Sequence, residues 1–144
     1  MRLCLVLTAA AGLAACSATG SGTGIVTSAK GNAAGGAVVS YLTEGGATAQ
    51  LSVSMPDGEV FRGSALSGST ADTPGFAFAP GRHGTLLITS PRPEWTGDVI
   101  AALHSGRGHT MDCRLREKRV GLGLEGGALG SCTVSDGRHV QIDL

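Results

Sequence analysis

Two short stretches of this chain leave little freedom in how they fold. One reads LSVSMPDGEVFRG and the other GSCTVSDGRHVQIDL, and each sets an Asp-Gly pair between runs that alternate apolar and polar residues. Side chains alternate faces along a strand, and residues directly opposite across an antiparallel pair share a face. In the second stretch Cys132 and Val134 share a face before the turn, and Val140, Ile142 and Leu144 share one after it. A two-residue loop would set Cys132 opposite Gln141 and mix apolar with polar. A three-residue loop of Ser135-Asp136-Gly137 sets Cys132 opposite Val140 and Val134 opposite Arg138. In the first stretch a Pro56-Asp57-Gly58 loop sets Val53 opposite Phe61 and Met55 opposite Glu59. Each loop reads as a type I turn followed by a left-handed glycine, with proline suited to the first loop position. The Asp and Gly residues therefore have structural reasons and need no catalytic role.

Short strands continue through most of the chain. They are expected at Ala37 to Thr43, Ala49 to Met55, Glu59 to Leu66, Thr85 to Ser90, Asp98 to Ser105, Thr110 to Glu117, Ser131 to Ser135 and Arg138 to Leu144. Phe76 to Ala79 reads as a short edge piece. Gly, Pro and Asp separate them, and no stretch has helical apolar spacing. The fold class is all-β: a small antiparallel sandwich or barrel of about 6–8 short strands. With 24 glycines and 3% aromatic residues, the core must come from Val, Leu, Ile and Ala and will be small. The length suits one domain, assigned to residues 37–144.

The N-terminus reads MRLCLVLTAAAGLAAC. Arg2 followed by an apolar run is a secretory signal pattern, too short for a span of roughly 20 apolar residues. Leu13-Ala14-Ala15-Cys16 resembles the bacterial lipoprotein cleavage box. That resemblance implies a signal peptide over 1–15, cleavage before Cys16 and lipid on Cys16. Residues 16–36, rich in Gly, Ser, Thr and Ala, read as the lipidated cysteine and a flexible tether with a reach of roughly 25 Å.

Of the four cysteines, Cys4 leaves with the signal and Cys16 takes the lipid, so Cys113 and Cys132 remain as a pair. In Thr110 to Glu117, Met111, Cys113 and Leu115 face one way and Asp112, Arg114 and Arg116 the other. Cys113 and Cys132 thus both face the core, on neighbouring strands or facing sheets. In an oxidising compartment they are expected to form a disulfide, worth about 3 kcal/mol by loop closure. A thiolate metal site lacks CxxC spacing and nearby paired ligands.

The formal net charge is zero, which gives no basic surface for nucleic acid. Gly121 to Gly126 matches GxGxxG, but no buried parallel strand precedes it and no helix follows, so it reads as a surface loop. His104, His109 and Asp112 form a loose set of metal-type ligands flanking a hairpin loop at Ser105 to Gly108; as a metal site they are weak. There is no GxSxG or SxxK, and no catalytic residue is assigned. Arg114, Arg116, Lys118 and Arg119 make a basic run, read as a solvated strand face or a patch for an anionic ligand.

With LAAC, SVSMPDGEVFRGSALSG, GHTMDC and GSCTVSDGR in view, the chain resembles small lipoproteins of Gram-negative, alphaproteobacterial type with a Gly-rich C-terminal β-domain. The resemblance implies an envelope location and a compact β-domain. It carries over no activity, catalytic residue or cofactor. Ser17, where enteric inner-membrane lipoproteins carry Asp, leans toward the periplasmic face of the outer membrane. The expectation is a lipid-anchored, non-enzymatic protein with a structural or interaction role, its partners the membrane and an envelope protein or anionic polymer, not nucleic acid. The alternatives are a binding module for an anionic envelope ligand on the basic face, and a periplasmic hydrolase or metal-binding protein.

Overall fold

A computed structural model describes residues 17–43, 47–81 and 84–144, with side chains described outside 70–93. The fold is all-β. Eight strands run in chain order: β1 (Ala18–Thr27), β2 (Ala33–Thr43), β3 (Thr48–Ser54), β4 (Val60–Gly81), β5 (Gly84–Ser105), β6 (Thr110–Glu117), β7 (Ala128–Val134) and β8 (His139–Asp143). Each pairs antiparallel with its neighbour in sequence, and β8 pairs with β1, so the sheet closes into a barrel.

The barrel has a filled core. An eight-stranded barrel is just wide enough for side chains to fill it. Phe61, Leu51, Leu103, Met111 and a set of valines are each less than 2% exposed inside it. On β6 the buried residues are Met111, Cys113, Leu115 and Glu117, and Thr110, Asp112, Arg114 and Arg116 face out. Cys113 and Cys132 stand directly opposite in the β6–β7 register with Cα atoms 4.0 Å apart, and their sulfurs are bonded.

Both parity-derived hairpins hold. Cys132 faces Val140 and Val53 faces Phe61. The Met55 N–H donates to Glu59 O at 2.8 Å, and the Val134 N–H to Arg138 O at 2.9 Å. The same three-residue loop recurs in the β1–β2 and β5–β6 connections, where Ser28 and Ser105 N–H groups donate to Asn32 O and His109 O. All four loops end on a positive-φ glycine: Gly31, Gly58, Gly108 and Gly137, with φ between 81° and 91°. One turn chemistry thus builds one whole end of the barrel.

Two expectations need correction. Residues 18–36, expected as part of the tether, instead form β1, its turn and the start of β2. Gly20, Gly22 and Gly24 occupy alternate, inward positions of β1, while Thr19, Ser21, Thr23 and Ile25 are exposed. A Cβ at Gly20 would collide with the Tyr41 ring and one at Gly22 with the Asp143 carbonyl; one at Gly24 would lie 2.9 Å from Val140 Cγ1. These glycines let the barrel close around side chains donated by β2 and β8. Cys16 lies outside the described residues.

The second correction concerns residues 68–96. In place of separate short strands, β4 and β5 run on past the barrel as a two-stranded arm. The β3–β4 register ends at Leu66 and the β5–β6 register starts at Asp98, while β4 and β5 stay paired from Ser69↔Trp95 to Gly81↔Gly84. Prolines 74, 80 and 91 are tolerable there because the arm's outer edges pair with nothing in the barrel. At about 3.3 Å per residue the arm reaches on the order of 40 Å.

If β1 is part of the barrel wall, Gly22→Ala must cost stability as an overpacking change, about 1–3 kcal/mol. Thr23→Ala on the exposed face should stay within about 0.5 kcal/mol. Urea unfolding distinguishes the two; a tether would make both silent.

Candidate functional site

The loop end of the barrel gathers six charged or titratable side chains from three of the four repeated turns. The middle loop residue supplies Asp57, Arg107 and Asp136. The residue after the turn glycine supplies Glu59, His109 and Arg138. Parity puts the latter on the core side, because Glu59 opposes Met55 and Arg138 opposes Val134. The Glu59 side chain is 1% exposed. Arg138 Nη2 lies 2.5 Å from its Oε2, and His109 Nδ1 lies 2.9 Å from its Oε1. Arg138 also bonds Asp136 at 2.7 Å and Asp57 at 3.1 Å, and its guanidinium sits 6.0 Å from the Phe61 ring centroid. Arg107 reaches Asp57 at 3.3 Å.

Burial opposes ionisation of Glu59, but hydrogen bonds from Ser105, Arg138 and His109 win and hold its pKa down to about 2. The Arg138 hydrogen bond likewise lowers Asp136, and Asp136 with Glu59 raises Arg138 against its own burial. A carboxylate held so low is too weak a base for proton transfer near neutral pH. Each acid here has a cation within reach, so the cluster works as a polar plug that satisfies itself.

The opposite end, the mouth, carries the irregular parts: the start of β1, the root of the arm, and the β6–β7 loop. That loop holds the GxGxxG stretch. It forms one 3-10 turn, Gly123–Gly126, pinned by buried Leu124. Its Gly121 N–H donates to Glu117 Oε2 at 2.7 Å. A recess of 210 Å³ opens among these parts, lined by Thr43, Trp95, Glu117, Leu124 and Glu125 among others. Glu125 Oε1 accepts the Thr43 hydroxyl at 2.6 Å.

The residues singled out in the sequence are scattered. His109 turns to Glu59, whereas His104 and Asp112 are exposed on the outer wall. Among the described residues no group of three His, Cys, Asp or Glu side chains is placed to hold a metal. Arg114 and Arg116 face outward on β6. Lys118 leaves that face: its Nζ bonds Asp143 at 2.6 Å and Leu144 O at 2.8 Å. Arg119 lies exposed in the loop beyond. Ser135 accepts the Thr110 N–H at 3.2 Å, and His139 pairs with Thr133 at 3.3 Å, so neither acts with Asp136 or Arg138 as a reactive set. Sequence reasoning missed Glu59 and Glu117, although Glu59 was set opposite Met55 and the alternation that turns Leu115 inward turns Glu117 inward too.

Compared with known proteins, the chain matches no family model, no curated protein and no solved structure.

Because the folded pKa of Glu59 lies below its unfolded value of 4.5, its ionisation contributes stability that is fully present above that pH. The contribution fades as pH falls from there toward about 2. Wild type should lose on the order of 3 kcal/mol from this group across that window. Urea unfolding at stepped pH should give a flatter profile for Glu59→Gln, and parallel profiles would refute the plug.

Proposed function

We propose that this chain is a lipid-anchored protein of the cell envelope, on the periplasmic face of the outer membrane, that acts by binding or scaffolding and not by catalysis. The observation that carries this reading is the division between the two barrel ends. One end is closed by repeated turns and a hydrogen-bonded ion cluster. The other collects the arm, the recess and the start of β1.

The LAAC box supports the anchor, and the disulfide suits an oxidising compartment. With lipid on Cys16, only Ser17 separates the anchor from β1 at Ala18. Ala18 pairs with Thr43 at the mouth, so the mouth and the base of the arm would lie next to the bilayer. A two-stranded ribbon is marginal alone in water, which favours an arm that settles against something else. The described side chains inside the barrel form one apolar core.

Cys16→Ser should move the protein from the membrane fraction to the soluble periplasm and abolish labelling with radioactive palmitate. Replacing residues 70–94 with a two-residue turn should leave the protein in the membrane but remove its crosslinks in intact cells. Membrane retention of unlabelled Cys16→Ser would refute the anchor. Unchanged crosslinks in the shortened chain would refute the arm's role.

A further inference from the structure

Each end of the barrel core holds one buried glutamate, and the two are satisfied differently. Glu59 has a basic side chain against each carboxylate oxygen. Glu117, the last inward residue of β6, is 6% exposed. Its Oε2 accepts the Gly121 N–H, but its Oε1 is buried without a hydrogen-bond partner. An unpartnered buried carboxylate oxygen is costly, and such groups call for an explanation.

The recess beside it has the matching chemistry. Among its described lining residues are two carboxylates, Glu117 and Glu125, and no Lys, Arg or His. Val99 and Leu124 supply apolar wall, and Trp95 lines the same space close to Gly121. Two carboxylates are too few to dehydrate and hold a hard metal ion, which takes six or more oxygens. A positively charged nitrogen fits better. It accepts fewer partners, donates directed hydrogen bonds and is attracted by an indole face. A cavity of about 150 Å³ already holds a benzene-sized molecule, so 210 Å³ has room for a short alkyl chain with its charged head.

We propose that the mouth recess is a binding site for a small organic cation carrying a primary ammonium group. Its N–H donors reach the Glu117 and Glu125 carboxylates, and its alkyl part lies against Leu124, Val99 and Trp95. This inference concerns the recess alone and holds whether or not Cys16 carries lipid.

The chain has a single tryptophan, Trp95, so its fluorescence reports on this recess directly. The full chain is titrated with n-butylammonium chloride, with n-butanol and sodium chloride as matched controls, and the Gly121 amide is followed by NMR. Butylammonium should give a saturable change at both positions, and neither control should. Losing a charge-assisted hydrogen bond in Glu117→Gln should weaken binding by about ten-fold or more. Glu125→Gln, on the exposed loop, should weaken it several-fold, and Arg114→Ser on the outer wall should leave it unchanged. Equal responses to butanol or sodium chloride would overturn the proposal, as would full affinity in Glu117→Gln. If that variant does not fold, unchanged affinity in Glu125→Gln overturns it instead.

Discussion

Five residue pairs between β1 and β8, from Thr23↔Asp143 to Thr27↔His139, close the sheet, and everything else depends on that closure. An open sheet of this composition would have two bare edges and few large side chains to cover its inner face. Closing it removes the barrel's edges and makes one lumen that valines, leucines and Phe61 can fill. The scarcity of aromatic residues is then a matter of fit. The inward glycines of β1 follow from the same constraint, because that wall must leave room for Tyr41, Val140 and the C-terminal residues.

Closure also divides the molecule into two unlike ends. The odd-to-even connections are four copies of one three-residue turn, so the residues after their glycines reach the same end of the core. Three of these four are Glu59, His109 and Arg138. A geometric repeat thereby becomes an electrostatic cluster, and the low pKa of Glu59 follows from the hydrogen bonds that Ser105, Arg138 and His109 bring from the neighbouring turns. Among the described residues, the even-to-odd connections follow no such repeat. They include the arm and the β6–β7 loop, and they leave room for a recess.

How legible this was in the sequence depended on whether a segment's signal was local. The two Asp-Gly loops were readable because loop length and alternation test each other within a dozen residues. The facing of Cys113 and Cys132 followed from the same alternation. β1 was not readable by composition, since Gly, Ser and Thr are linker residues when counted without order. In order, Gly20, Gly22 and Gly24 alternate with Thr19, Ser21 and Thr23, which is a strand whose inner face must be empty. The arm was hidden by its prolines, which exclude a central strand and allow a ribbon. The ion cluster was hidden because, apart from Asp136 and Arg138, its partners lie 50 to 81 residues apart, and only the closed barrel brings them together. Parity had set a glutamate and an arginine on the core side, and two opposite charges at core positions are a reason to look for a pair.

The GxGxxG stretch shows how the same backbone chemistry changes meaning with its surroundings. In a phosphate-binding loop, backbone N–H groups face an anionic ligand and a helix dipole adds to the attraction. Here one such N–H, from Gly121, is taken by the chain's own Glu117, and no helix of useful length follows. A phosphate entering the recess would meet two carboxylates and no cation among the described lining residues. The loop thus supplies its anion internally, and the buried Glu117 oxygen left over sets the sign of what can enter. Opposite charge beside Glu59 is provided by Arg138; beside Glu117 none of the described residues lining the recess provides it, and that physical asymmetry is what the proposed cation site rests on.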